Sequence, residues 1–414
     1  MERYRTWLTA AASCALLSVL ASCGDDYGNS APILPYTGDG ANPTGLIQAS
    51  DGNFYGTTSN GGKYAQGAFF RVTPTGAEEL LYSFGSSPSD GTNPEGVIQG
   101  TDGNFYGVTG AGGMGACNSG CGIAFKLTAA GAETVLYYWT GAADGTSPND
   151  LIQGSDGNFY GAAAYGGVTG GSCGPGGCGV LFKLTPSGTE SVLHAFTGGT
   201  ADGGVAGYVT QGSDGNFYGN TLYGGSADKG TIFKVTPAGV ETVLYSFAGG
   251  NDGAIPQTPL VQGSDGNFYG TTPFGGTFSN GVAFRVTPTG AETVLHAFTG
   301  TSSDGAAPGI ALIQASDGNF YGATTAGASP SCYGGCGAVF KMTSAGATSA
   351  LYLFASGGGG VPPNPSGLIQ GSDGNFYGTT SQGGQYGFGT LFRLTPAGVA
   401  TVLYTFGTNN NSPP

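Results

Sequence analysis

The hexapeptide DGNFYG, first read at Asp51–Gly56, recurs unchanged from Asp102, Asp156, Asp214, Asp265, Asp317 and Asp373. The start-to-start spacings are 51, 54, 58, 51, 52 and 56 residues. A nearly fixed period of this length marks a repeat architecture, in which each unit buries its apolar surface against its neighbours. The repeat therefore overrides the expectation of two or three domains that 414 residues would otherwise raise.

Outward from the hexapeptide, the fourth repeat reads as four short strands. Tyr208–Gln211 is extended, and Ser213-Asp214-Gly215 is a turn in which Asp bonds local backbone and Gly takes a positive φ. Phe217–Thr221 is aromatic and β-branched, as strands favour. After a Gly-rich loop come Thr231–Val235, the tight turn Thr236–Gly239, and Glu241–Phe247. Four antiparallel strands repeated seven times predict an all-β, seven-bladed β-propeller. A linear β-solenoid is the alternative, but it would need terminal caps. The expected units lie near 45–95, 96–149, 150–206, 207–258, 259–310, 311–366 and 367–406, within one domain spanning 32–414. Ile33–Gly40 resembles the end of a repeat and is a surplus strand that could strap the ring or lie outside it.

A two-residue turn between strands C and D would pair the flanking residues directly. That register sets Arg71 opposite Glu78, Lys126 opposite Glu133, Lys183 opposite Glu190, Lys234 opposite Glu241 and Arg285 opposite Glu292. In the last two units it sets Lys341 against Thr348 and Arg393 against Ala400. Most of the charge then belongs to the repeat itself, leaving little for a catalytic site.

Composition narrows the partners. A net charge of −14 repels phosphate backbones, so no nucleic acid is expected as a partner. Residues 1–22 have the layout of a signal peptide, with Arg3 and Arg5 ahead of a short apolar run. The run ends Leu20-Ala21-Ser22-Cys23, which resembles a bacterial lipobox with Cys23 as the lipidation site; an ordinary signal peptide with a coincidental Cys is the alternative. Residues 23–31 read as a tether. The expected location is the outer membrane or cell surface, with a lipid anchor as the membrane contact and a monomeric ring beyond it.

In a blade of order A-B-C-D the A–B and C–D turns share one face, and here their length is constant. The B–C and D–A loops share the other face and carry the insertions, so that face is where binding is expected. It offers Tyr64, Met114, Tyr165, Tyr223, Phe274, Phe278, Tyr333, Tyr386 and Phe388, aromatics suited to sugar rings or protein partners. Alternatively they pack over neighbouring loops. Asp90, Asp144, Asp202, Asp252 and Asp304 of the D–A links read as turn formers rather than a cation-binding rim. The hexapeptide Asp, in seven copies, reads as a hairpin residue rather than a catalytic one. His194 and His296 occupy positions where other units carry Tyr82, Tyr137, Tyr245, Tyr352 and Tyr404, and so read as replacements on strand D, not ligands. Glu79, Glu95, Asp150 and Asp228 are acids outside the repeat positions, scattered over different units or parts of units. No catalytic constellation, metal site or cofactor motif emerges.

Six cysteines fall in pairs inside single B–C loops: Cys117/Cys121, Cys173/Cys178 and Cys332/Cys336. In an exported protein these are expected to be local disulfides pinning long loops. Four Cys from the second and third units bridging zinc is the rival.

The unit GLIQGSDGNFYGTT…GG…GTLFRLTPAG…TVLYTF resembles the GloVer tandem repeat of bacterial choice-of-anchor proteins over about residues 32–406. The resemblance implies a secreted or surface propeller-like protein and supplies no catalytic residues. The expected function is therefore glycan or protein binding through the variable face. The alternatives are a polysaccharide lyase or hydrolase using acids and Tyr near the pore, and a passive surface or adhesion module.

Overall fold

Each residue of the hexapeptide has a structural task in the chain, described here by a computed structural model over residues 38–301, 303–328, 335–355 and 364–407. In the first unit Asp51 Oδ1 accepts the Asn53 N–H at 3.0 Å, and Oδ2 accepts the Asn53 side-chain amide and the Tyr55 hydroxyl at 2.9 Å. Gly52 sits at φ 83°, which only Gly adopts without strain. Phe54 and Tyr55 are buried. A Cβ on Gly56 would lie 2.3 Å from the Gly45 carbonyl oxygen and 2.7 Å from the Phe70 ring, so this position must be Gly.

The seven units form seven antiparallel four-stranded sheets, the blades of a β-propeller. Blade 1 comprises strands A (Ala41–Gln48), B (Phe54–Asn60), C (Ala68–Val72) and D (Glu78–Ser83), paired in that order. The other blades repeat the order, ending with Pro365–Gln370, Phe376–Thr380, Thr390–Leu394 and Ala400–Thr405 in blade 7. Strand A is interrupted in blades 3 and 6, where two short pieces pair with the same strand B.

Three contacts join each blade to the next, and all three also join blade 7 to blade 1. The hexapeptide Tyr lies on the hexapeptide Phe of the following blade, with ring centroids 3.9–4.3 Å apart, and Tyr377 on Phe54 closes the circle. A second circle runs from the ring after strand D to the strand-C Phe of the next blade, as in Trp139 on Phe182 and Phe406 on Phe70. The Gln ending strand A is a clasp: Gln99 donates Nε2 to its own turn at Gly103 O, and its Oε1 accepts the Ser50 N–H of blade 1. Gln48 closes the ring by accepting the Ser372 N–H at 2.8 Å.

The surplus N-terminal strand expected at Ile33–Gly40 falls largely outside the described residues. Its described end acts as a D–A link: Asp39 accepts hydrogen bonds from the Tyr404 hydroxyl and, at 3.1 Å, from the Gly407 N–H.

The strand C–D register differs by one residue from the sequence expectation. Strand pairing sets Val72 opposite Glu78 and Arg71 opposite Glu79, and likewise Lys126 opposite Thr134, Lys183 opposite Ser191, Lys234 opposite Thr242 and Arg285 opposite Thr293. Lys341 faces Ser349 and Arg393 faces Thr401. The cause is the loop. Thr73 N–H bonds Ala77 O and Gly76 N–H bonds Thr73 O, giving a three-residue loop with Gly76 at φ 93° instead of a two-residue turn. The Thr73 hydroxyl also accepts the Ala77 N–H, and all seven units repeat this bond.

The charges then pair differently. Lys126, Lys183, Lys234 and Lys341 reach the hexapeptide Asp of their own blade at 2.9–3.3 Å, while Arg71 pairs with Glu79. The strand-D Glu instead faces the preceding blade. Glu133 accepts the Tyr82 hydroxyl at 3.1 Å, and that hydroxyl also lies 3.0 Å from Asp90.

Replacing Tyr218, which stacks on Phe268 and donates to Asp214, tests the blade contact. Tyr218→Ala should cost about 3–5 kcal/mol as a buried aromatic truncation. Tyr218→Phe keeps the stack and should cost about 1 kcal/mol for the lost hydrogen bond. Chemical denaturation measures both; equal losses would contradict the stacking account.

Burial at the blade junctions also sets a pH dependence. Burial, reinforced by Asp39 and Glu79 and opposed by the Tyr404 hydroxyl, pushes Glu78 to about 8. Burial with Asp90 pushes Glu133 to about 7, opposed by Tyr82; burial with Asp144 does the same for Glu190, opposed by Tyr137. Burial with Asp252 pushes Glu292 to about 7. A carboxyl raised by folding stabilises fully below its unfolded pKa near 4.5, and that stability fades as pH rises through 7–8. The hexapeptide Asp groups are lowered, and their contribution is lost only in stronger acid. The melting temperature should thus fall steadily from pH 5 to pH 8, with a shallower slope in Glu133→Gln. A higher melting temperature at pH 8 than at pH 5 would refute this linkage.

Candidate functional site: the central channel and its mouth

Strand A is innermost in every blade, so its departures from the repeat face the axis. Its entry is kinked. Asn42, Asn93, Ser147, Val205, Ile255 and Ala307 occupy equivalent positions and all have φ of 52–58°. The kink aims each N–H at a B–C loop carbonyl of the preceding blade: Phe388, Gln66, Cys121, Cys178, Lys229 and Asn280. Just beyond it, blades 1, 2 and 7 read Thr44-Gly45, Glu95-Gly96 and Ser366-Gly367, while blades 3 and 4 read Asn149-Asp150 and Gly207-Tyr208.

These residues line the axial channel. A cavity of about 660 Å³ opens among Asn42, Asn60, Glu95, Asn149, Tyr208, Gln257, Asn364 and Gln382. A deeper one of about 300 Å³ shares Glu95, Asn149 and Tyr208 with it and adds Asp150 and Tyr106. Sequence reasoning noted Glu95 and Asp150 but took them as scattered. The structure brings them together from adjacent blades, with Tyr208 from the next. Glu79 and Asp228 are not part of this group: Glu79 pairs with Arg71, and Asp228 accepts the Gly224 N–H at 2.8 Å.

The channel is an acidic, acceptor-rich space. Burial pushes the Glu95 carboxyl to about 7, and its nearest donor is the Asn93 amide at 3.4 Å. Burial also raises Asp150 to about 7, against hydrogen bonds from the Val209 and Leu151 N–H groups, the former at 2.9 Å. The Tyr208 phenol is pushed up by burial and by both carboxyls, so it remains a hydrogen-bond donor. The side-chain oxygens of Asn149 and Asn364 are buried without a hydrogen-bond partner. No Lys or Arg lines either cavity. Carboxyls tuned near neutrality can give or take a proton.

The mouth is two-sided. At the residue two before the Gly-Gly of each B–C loop, blades 1 and 7 carry Asn60 and Gln382, whereas blades 3, 4 and 5 carry Tyr165, Tyr223 and Phe274. Phe274 is exposed, while Tyr165 and Tyr223 are half-buried over Ala164, Val205, Leu222 and Ile255. Tyr64, Phe278, Tyr386 and Met114 are exposed on the same face. Phe388 instead packs into the cluster at ring closure, and Tyr333 lies outside the described residues.

The loop cysteines close locally. Cys117–Cys121 and Cys173–Cys178 are disulfides with Cα atoms 5.2 Å apart, which removes the rival of four Cys shared on zinc. Cys336 is also disulfide-bonded, and Cys332 lies outside the described residues. Such bonds mark an exported protein. No helix among the described residues is long and apolar enough to cross a membrane. The link carboxylates are turn-bonded, as Asp144 is by the Thr140 N–H at 2.8 Å and Asp252 by the Ala248 N–H at 2.7 Å.

Among solved structures the chain is similar to virginiamycin B lyase from Staphylococcus aureus, in a catalytically inactive form with quinupristin, at 13% identity and a TM-score of 0.55. That match covers 84% of this chain and 94% of the lyase. It is also similar to a puromycin hydrolase at 13% identity and a TM-score of 0.58, over 92% of this chain and 56% of the hydrolase. Likeness at this identity is likeness of fold. No curated protein matches the sequence significantly. The model of the Gloeobacter/Verrucomicrobia repeat matches residues 33–207, 114–334 and 205–414, and together with the seven identical blades this places the chain in the Gloeobacter/Verrucomicrobia repeat family.

Proposed function

We propose that the protein is a lipid-anchored surface propeller that binds a glycan at the mouth of its central channel. The carrying observation is the arc of Tyr165, Tyr223 and Phe274 at equivalent positions of three successive blades. Rings held side by side at a concave opening offer flat apolar faces to the apolar faces of sugars. The facing Asn60 and Gln382 supply hydrogen-bonding groups for hydroxyls. Rigid blades under variable loops suit a binding surface. The anchor is Cys23, with residues 24–31 as the tether. Tyr64, Phe278, Tyr386, Tyr333 and Phe388 then belong to the outer rim or its packing.

The channel acids support a second reading, a polysaccharide lyase or hydrolase. Glu95 and Asp150, raised toward neutrality in one cavity, would serve as proton donor and acceptor, with Tyr208 binding sugar oxygen.

A glycan array probed with the chain lacking its signal segment tests the binding reading. Tyr223→Ala and Phe274→Ala should each weaken the strongest binding at least tenfold, or about 1.4 kcal/mol. Absence of any glycan binding, or binding indifferent to both substitutions, would count against it. Release of reducing ends from a bound polysaccharide, abolished in Glu95→Gln and Asp150→Asn with affinity retained, would favour the enzyme.

A further inference from the structure

At the outer edge of the blade junctions, a ring from strand D meets the Asp of the following link and a strand-D residue of the next blade. Where the ring is Tyr, its hydroxyl sits between the acids: Tyr82 with Asp90 and Glu133, and Tyr404 with Asp39 and Glu78. Tyr137 and Tyr245 bond Asp144 and Asp252 at 2.9 Å. Two junctions carry His, and they differ. His296 Nε2 lies 2.8 Å from Asp304 Oδ1, and the third group is the Thr348 hydroxyl, 3.3 Å from Nδ1. That His is satisfied by its neighbours, and one acid is present.

At His194 both acids are present. Nε2 is 3.7 Å from Asp202 Oδ2, beyond hydrogen-bonding distance, and is buried with no hydrogen-bond partner. Glu241 Oε1 is also buried without one. One ligand atom from each of His194, Asp202 and Glu241 lies within 4.8 Å of the other two. Two carboxylates and an imidazole nitrogen drawn together under partial burial are costly unless a cation joins them.

We propose that His194, Asp202 and Glu241 form a binding site for one divalent transition-metal ion, best matched by Zn²⁺. One imidazole nitrogen and two carboxylate oxygens are ligands that zinc takes, with a fourth position left for water. Asp202 is already oriented: its Oδ2 accepts the Thr197 N–H and hydroxyl at 2.8 Å, and its Oδ1 accepts the Gly203 N–H. Bonds of about 2.0–2.2 Å place zinc ligands roughly 3.3 Å apart, so closure asks for a shift of about 1 Å from the Glu241 side chain. The site ties strand D of blade 3 to strand D of blade 4 and is separate from the channel.

The test is zinc titration of the intact, chelator-stripped chain by calorimetry, with bound metal counted by mass spectrometry. The described cysteines include no free thiol to compete. One equivalent should bind. His194→Tyr installs the residue found at five sister positions, so it should fold, and its zinc affinity should fall at least a hundredfold. His296→Tyr should bind zinc as the parent does. If His194→Tyr fails to fold, Glu241→Thr, which copies the His296 junction, replaces it and should weaken binding at least tenfold. No stoichiometric zinc uptake by the parent, or uptake unchanged by these substitutions, overturns the proposal.

Discussion

A tyrosine face laid on the next blade's phenylalanine is the contact from which the ring is built. Its two rings are adjacent residues of one hexapeptide, so each unit presents Phe backward and Tyr forward with a fixed offset. The geometry that joins blades 1 and 2 therefore also joins blades 7 and 1, and closure needs no exchanged strand. A stacked pair adds about 0.5–1.5 kcal/mol beyond its buried area. The second aromatic circle and the Gln clasp repeat the linkage at two other radii. An error in one blade is felt by both neighbours, which leaves the hexapeptide little freedom to vary.

That rigidity decides where variation is tolerated. The A–B and C–D turns are both three-residue loops held by their own side chains, and they form a uniform face. The opposite face has a different seam, made of kinked strand-A amides bonded to loop carbonyls of the preceding blade. Two of those carbonyls belong to Cys121 and Cys178, so the disulfides fix the acceptors as well as the loops. Backbone position is thus set all around the channel, and side chains there can change without disturbing the blades. Glu95, Asp150 and Tyr208 are such changes in three successive blades.

Period, strand count, the two unlike faces and the loop disulfides were legible in the sequence because each follows from local spacing. The C–D register was not. Charge complementarity suggested Lys against Glu, but the Lys has a second acid within reach, the hexapeptide Asp across the B–C pair. A left-handed Gly lengthens the hairpin loop by one and moves the Glu to the junction with the preceding blade. The convergence of Glu95 and Asp150 was hidden for another reason. They lie 55 residues apart and one position out of step in strand A, so only the closed ring places them in one channel. Alignment of the seven strand-A segments, where Gly45, Gly96 and Gly367 give way to Asp150 and Tyr208, was the available signal.

The kink residues connect strain to the mouth. Asn42, Asn93 and Ser147 are small polar residues, and Asn in particular tolerates positive φ. Val205 and Ile255 are β-branched, and a β-branched side chain there costs on the order of 1–3 kcal/mol. They occur in blades 4 and 5, and their side chains pack with Ala164 and Leu222 against Tyr165 and Tyr223. An Asn at either position would relieve the backbone and remove the apolar support under those rings. The strained residues are therefore paid for by the floor they build beneath the aromatic arc. This couples the least comfortable backbone in the propeller to the surface proposed to meet the ligand.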